Sequence, residues 1–307
     1  MVRACVARYM EDMLVCVGSI NPICCAPPST LDKSVERSYF AVFDGHGGTG
    51  AAAFCQKHLH RLIAKQLALG ADPASAIVDV IAAVEQEFSF HARQSRDASG
   101  TCLVLALRVG RQLFVANVGD CRAALCCASS SPCVGPITSD HKPEKPSERA
   151  RVKSCGGTVR QKLVEQVSRR RGGGAHILAS LVRPGPCHAC WQRSSWCCQG
   201  SPMKLVGPLR VYPGGLAVSR SIGDVLLKAK LPGAIVATPD VVQVVLADDA
   251  FALLLARCAH TLRALGQSTA QQAHARGVAC RAVHAVMGFG TMLGKRRCTH
   301  CCPRIPC

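Results

Sequence analysis

A carboxylate and an imidazole, Asp44 and His46, stand at the end of a short apolar run, Tyr39–Phe43, within Asp44-Gly45-His46-Gly47-Gly48. The run reads as a buried strand, so both groups are presented at a strand tip. The glycines let the backbone come close to whatever sits there. Strand-end carboxylates beside a Gly-rich turn are a common way to hold a hard cation. Taken alone, the five residues equally fit a tight strand-to-helix turn with a solvated Asp and His. Upstream, Arg8-Tyr9-Met10-Glu11-Asp12 leads into apolar Met13–Val17. Adjacent strand residues face opposite sides, so one of the two carboxylates could bind an ion while the other orients a neighbour. Without context this pair also reads as a charged strand end.

The elements that must position these groups follow from pattern. Residues 47–69 and 73–92 carry two amphipathic helical patterns, parted by Gly70-Ala71-Asp72-Pro73, with Asp72 as cap and Pro73 in the first turn. Three strands follow, Ser99–Leu107, Gln112–Val118 and Arg122–Cys126, with turns at Val109-Gly110-Arg111 and Gly119-Asp120. This spacing predicts an antiparallel meander. Residues 21–36 read as a loop, Glu148–Gly157 as a short helix closed by glycines, Pro239–Leu246 as an edge strand and Phe251–Ala256 as a buried strand.

Asp44–Gly48 after an apolar strand resembles the signature of the metal-dependent serine/threonine phosphatases of type 2C, the PPM family. Met10-Glu11-Asp12, Ser99-Gly100-Thr101, Asn117–Arg122, Ser139–Pro143 and Leu216–Asp224 resemble further motifs of that family in the same order. The resemblance covers roughly residues 8–159 and 211–256. It implies an α+β fold, an antiparallel β-sandwich flanked by helices on both faces, incomplete at the C-terminus. It implies hydrolysis of phosphoserine and phosphothreonine in proteins by a water activated on Mg²⁺ or Mn²⁺. Two such ions would clamp the transition state and acidify the bridging water. In the matching positions Glu11, Asp44 and Gly45 (through its carbonyl) would hold metal and Asp12 would lie behind them. Asp120 would help bind a further, weaker ion, and His46 would protonate the leaving oxygen as general acid. The phosphate-binding arginine of the family sits three residues before the Met, where Ala7 stands; Arg8 is one position off. The family uses no phosphoenzyme, so no nucleophilic cysteine is expected despite 21 cysteines.

Two stretches depart from the pattern. Residues 160–210 hold nine basic residues and one acidic, and residues 251–307 hold eight and none; together they supply nearly all of the net charge of +18. The first reads as a disordered insertion into a phosphatase-like domain spanning 1–256, and 257–307 as an unmatched basic, Cys-rich tail. An intron or shifted frame read as protein would give similar text. A zinc site from Cys187, Cys190, Cys197 and Cys198 is conceivable, although the second pair is adjacent and fits a zinc knuckle poorly. In the family, the strand matching Phe251–Ala256 runs into an Asp-Gly whose Asp binds metal, and a later Asp-Asn supplies another ligand. Here Arg257-Cys258-Ala259-His260 follows. The second metal site is therefore expected to be incomplete and the chain to be a poor phosphatase or an inactive one. The alternatives are a non-catalytic relative that binds phosphoproteins, and a basic nucleic-acid or zinc-binding protein built on the insert and tail. The remaining expectations are phosphoprotein substrates, no membrane span, no nucleic-acid partner, a monomer, and reduced thiols in an intracellular setting, cytoplasmic or nuclear.

Overall fold

The computed structural model describes residues 11–24, 31–127, 136–165, 203–246, 250–256 and 283–288. β1 (Met13–Val17) is followed by a single turn of helix, α1 (Asn21–Cys24), within the stretch expected to be loop. β2 (Arg37–His46) then leads into α2 (Gly50–Ala68) and α3 (Pro73–Ser95). α3 starts as expected: Asp72 Oδ2 accepts the Ser75 N–H at 3.0 Å and Pro73 opens the first turn, satisfying a donor that the helix leaves unpaired. β3 (Gly100–Val109), β4 (Gln112–Val118) and β5 (Arg122–Cys127) follow. After α4 (Pro146–Ser154) come β6 (Thr158–Glu165), β7 (Met203–Tyr212), β8 (Ile222–Gly223), α5 (Val225–Lys230), β9 (Asp240–Val245), β10 (Ala250–Ala256) and β11 (Val283–Gly288).

The largest sheet runs β1-β2-β3-β4-β9, with β8 also paired to β3, and a three-stranded sheet runs β11-β10-β5. Its side-chain alternation sorts the core into two layers. Tyr39, Ala41 and Phe43 of β2 and Leu103, Leu105 and Leu107 of β3 pack with Leu59, Ile63, Ile77 and Ile81 of α2 and α3. The intervening residues Phe40, Val42, Val104 and Ala106 pack with Ala123, Leu125, Leu253 and Leu255 of the second sheet. Period-two alternation thus gives β2 and β3 one face for helices and one for a partner sheet, and both faces are apolar because both are covered.

The expected meander is only half right. β3 and β4 pair, but the other edge of β4 is taken by β9, and β5 pairs with β10 in the second sheet. The chain crosses between sheets at Gly119, whose φ is +98° and whose missing Cβ would overlap the Cys102 side chain, so that turn is open to glycine. The departing stretches also contribute strands. β6 and β7, which include both ends of the stretch expected to be a disordered insertion, pair as an antiparallel two-stranded sheet, and the residues between them lie outside the described residues. β11, within the expected tail, pairs with β10. Cys187, Cys190, Cys197 and Cys198 lie outside the described residues, as does the first residue of the departing stretch after β10, Arg257. No helix among the described residues is long and apolar enough to cross a membrane.

Candidate active site at the sandwich edge

Glu11 and the Asp44–His46 corner meet because β1 runs antiparallel to β2 with Met13 opposite Phe43. Carried two residues further, that register lays Glu11 over Gly45, and a Cβ on Gly45 would fall on the Glu11 carbonyl oxygen. The Glu11 side chain reaches across the corner, where its Oε1 accepts the Gly48 N–H at 3.2 Å. Gly45 is therefore a requirement of close strand approach. Asp44 lies opposite Cys102 on β3, and Asp12 is buried.

The electrostatics report the same convergence. Burial pulls the His46 imidazole toward the neutral form, but the hydrogen bond to Asp224 and the charges of Asp224, Asp44 and Glu11 win, raising its pKa. Opposite charges within a few ångströms favour the protonated ring. The Cys102 thiol is pushed far up by burial and by the charges of Asp120, Asp44 and Asp224. Cys121 is pushed up by burial, by Cys102, and by Asp44, Asp120 and Asp12. Both thiols stay protonated and are poor nucleophiles, in keeping with the expectation that no cysteine attacks phosphorus.

Asp120 sits on the crossing turn, braced by His141. The His141 backbone N–H donates to the Gly119 carbonyl at 2.8 Å. Its ring Nδ1 accepts the Gly119 N–H at 3.1 Å. Nε2–H is then left to donate to Asp240 Oδ2 at 2.9 Å. Burial lowers the pKa of this ring despite Asp240, which suits the neutral tautomer that the two bonds require. Asp240 in turn takes a bond from Arg220 Nη1 at 2.8 Å. Arg220, Arg151 and the Ser219 hydroxyl all donate to Glu148, which is 1% exposed. His141 is thus a packing and hydrogen-bonding residue, and it carries the turn that presents Asp120. Asp120 itself lies 3.5 Å from Lys142 Nζ, so its nearest charged partner in this structure is an ammonium.

One site residue was missed by sequence reasoning. His46 Nε2 lies 2.8 Å from Asp224 Oδ2, 178 residues along the chain. Asp224 closes Leu216–Asp224, a motif the sequence displays, but no local pattern says which distant ring it meets. Arg8 lies outside the described residues.

The donor set at this corner is made of oxygens. The carboxylates of Glu11 and Asp44 and the Gly45 carbonyl are oxygen donors of the kind Mg²⁺ and Mn²⁺ prefer, on adjoining strands, and their charges act together on His46. They fit one ion. Among the described residues no group of three His, Cys, Asp or Glu side chains is arranged to hold a metal, so these two carboxylates and one carbonyl are a partial donor set. Residues 251–307 contain neither Asp nor Glu.

Comparison with known proteins gives this arrangement its context. The family model described as Protein phosphatase 2C matches residues 6–258. The rat protein named Protein phosphatase 1F is 38% identical over 226 residues, covering 74% of this chain and 38% of its own. A Xenopus laevis protein named Protein phosphatase 1K, mitochondrial, is 40% identical over 126 residues, covering 39% of this chain and 33% of its own. The chain thus spans well under half the length of these relatives. Among solved structures, a Toxoplasma gondii serine-threonine phosphatase 2C superposes with a TM-score of 0.56 at 18% identity, over 88% of this chain and 78% of its own. A C. elegans sex determining protein gives 0.55 at 18% identity, over 81% of this chain and 48% of its own. At that identity the two structures speak to fold alone.

Proposed function

Since the chain belongs to the protein phosphatase 2C family, whose model matches residues 6–258, we propose that it acts on phosphoserine and phosphothreonine in proteins as a metal-dependent hydrolase of reduced capacity. The observation that carries the reading is the closure of Glu11 over Gly45 beside Asp44 and His46. It gathers two carboxylates, a backbone carbonyl and a protonatable ring at one edge of the sandwich. Glu11, Asp44 and the Gly45 carbonyl would hold Mg²⁺ or Mn²⁺, with Asp12 behind them. Bound there, the ion supplies an acidified water and relieves charge on the phosphoryl oxygens.

The chain's own residues do the rest. His46, whose pKa is raised by its carboxylate neighbours, gives its proton to the departing serine or threonine oxygen. Cys102, opposite Asp44 on β3, and Cys121 are buried between the sheets as protonated, inert groups. Reduced capacity follows from the thin donor set: residues 251–307 supply no carboxylate, and Asp120 is paired with Lys142. Arg8 keeps its proposed part in holding the substrate phosphate, and phosphoproteins are the proposed substrates. The domain is proposed to comprise 1–256, with the excess positive charge lying outside its core.

The Lys142–Asp120 pair favours a second reading, a non-catalytic relative that binds phosphoproteins. One experiment separates the two. Purified chain is titrated with Mn²⁺ by electron paramagnetic resonance and assayed on a phosphothreonine peptide, beside an Asp44→Ala control. We expect one bound Mn²⁺ per chain and slow turnover, both lost in the control. Two bound ions with rapid turnover would overturn the reduced-capacity reading. Peptide binding with turnover equal to that of the control would establish the non-catalytic one.

A further inference from the structure

We infer that Asp224 is a positioning residue for His46. It holds the ring by Nε2, so that Nδ1 is the nitrogen turned toward the leaving oxygen. The inference rests on the phosphatase reading for its chemistry and on geometry for everything else.

Asp224 Oδ2 already accepts the Ser221 hydroxyl at 2.5 Å, and Ser221 is wholly buried. The same oxygen lies 2.8 Å from His46 Nε2. An ionised carboxylate has only acceptor capacity, so Nε2 carries a hydrogen and donates. Asp224 is itself immobilised. Its φ is +52°, a conformation that Asp and Asn reach more readily than most side chains. Its backbone N–H donates to the Ser99 carbonyl at 3.0 Å. The adjoining Gly223 N–H donates to Glu85 Oε2 on α3 at 2.8 Å. Glu85 Oε1 takes Lys228 Nζ at 2.6 Å, and that ammonium also reaches the Ser221 carbonyl at 2.8 Å. The arch carrying Asp224 is thereby pinned to a helix of the main core.

Space is left for the pair by one residue. Gly100 lies opposite His46 on one side and Gly223 on the other, and a Cβ there would overlap both the Asp224 carboxylate and the His46 ring. Three strand ends therefore meet with just enough room for one imidazole–carboxylate contact.

The chemical consequence is specific. As the water oxygen bonds to phosphorus and gives up a proton to solvent, the bond from phosphorus to the serine or threonine oxygen breaks. Its electron pair stays on that oxygen, which takes the proton from Nδ1. The ring is left neutral with Nε2–H still on Asp224, and solvent returns the proton to Nδ1. Without Asp224 the ring could turn, and the proton would be offered in the wrong direction.

The test pairs a phosphothreonine peptide, whose leaving oxygen needs a proton, with an aryl phosphate, whose leaving group departs without one. Asp224→Asn is the variant of choice because Asn tolerates the same backbone. We expect kcat on the peptide to fall by about 10²-fold with KM within about twofold, while aryl phosphate turnover changes by less than about threefold. Equal losses on both substrates, or none, would overturn the inference. A second readout needs no activity: long-range ¹⁵N–¹H correlation of the wild-type ring at alkaline pH, where the ring is neutral. Hydrogen on Nε2 supports the assignment and hydrogen on Nδ1 refutes it, even if Asp224→Asn fails to fold. Should the wild type hydrolyse neither substrate with Mn²⁺, the phosphatase reading falls, while the tautomer still decides the orientation.

Discussion

Replacing Glu148 by Gln should destabilise the protein at neutral pH and have progressively less effect in acid. The Glu148 carboxylate is 1% exposed. Burial alone would favour its protonated form, but Arg151, Arg220 and the Ser219 hydroxyl hold its pKa down to about 2 from an ordinary 4.5. A depression of about 2.5 units corresponds to about 3 kcal/mol of stability. The sign follows from proton uptake. Below pH 4.5 the unfolded chain protonates this group while the folded chain does not. The stabilisation is therefore complete above 4.5 and drains away as pH falls toward 2. Gln keeps the shape and some hydrogen bonds but leaves Arg151 and half of Arg220 without their counter-charge, a loss of the size seen when buried pairs are broken. Urea denaturation of both proteins across this pH range gives the gap directly. We expect about 3 kcal/mol near pH 7, shrinking below pH 4.5. A gap under about 1 kcal/mol at neutral pH, the size of an exposed pair, or one that persists unchanged in acid, would refute the reasoning.

Two further outcomes follow from packing. Gly45→Ala places a methyl group on the Glu11 carbonyl; we expect a loss of about 1–3 kcal/mol from overpacking and weaker Mn²⁺ binding, read by denaturation and by metal titration, whereas wild-type binding would show that Glu11 is not needed in place. Brief alkylation of the folded protein followed by mass spectrometry should label exposed Cys16 and half-buried Cys155 and spare Cys24, Cys55, Cys102 and Cys121. Burial raises the pKa of Cys55, Cys102 and Cys121, so rapid native labelling of Cys102 would contradict the packed sheet interface.

Much of the architecture was legible because it is local. The cap at Asp72, the apolar faces of α2 and α3 and the alternation in β2 and β3 each depend on residues close in sequence, and each element lies within a few residues of its expected place. Pairing was less legible. The turn at Gly119-Asp120 looks like a hairpin turn, yet it hands the chain to another sheet, because β9 occupies the edge that β5 would have needed. That outcome depends on a strand more than a hundred residues later, which no window around the turn contains.

The site divides along the same line. Residue type and spacing marked Glu11, Asp12 and Asp44 as groups able to serve a hard cation, and the family resemblance added Asp120 as a weaker ligand and His46 as a proton donor. They also marked the dearth of carboxylates beyond residue 251. Only the folded chain decided that Glu11 lies over Gly45, that Lys142 faces Asp120, and that Asp224 grips His46 by Nε2. Those are contacts between strand ends and an arch brought together by sheet register and by the absence of a side chain at Gly45 and Gly100. Register is set by how whole faces bury, not by the residues that finally touch.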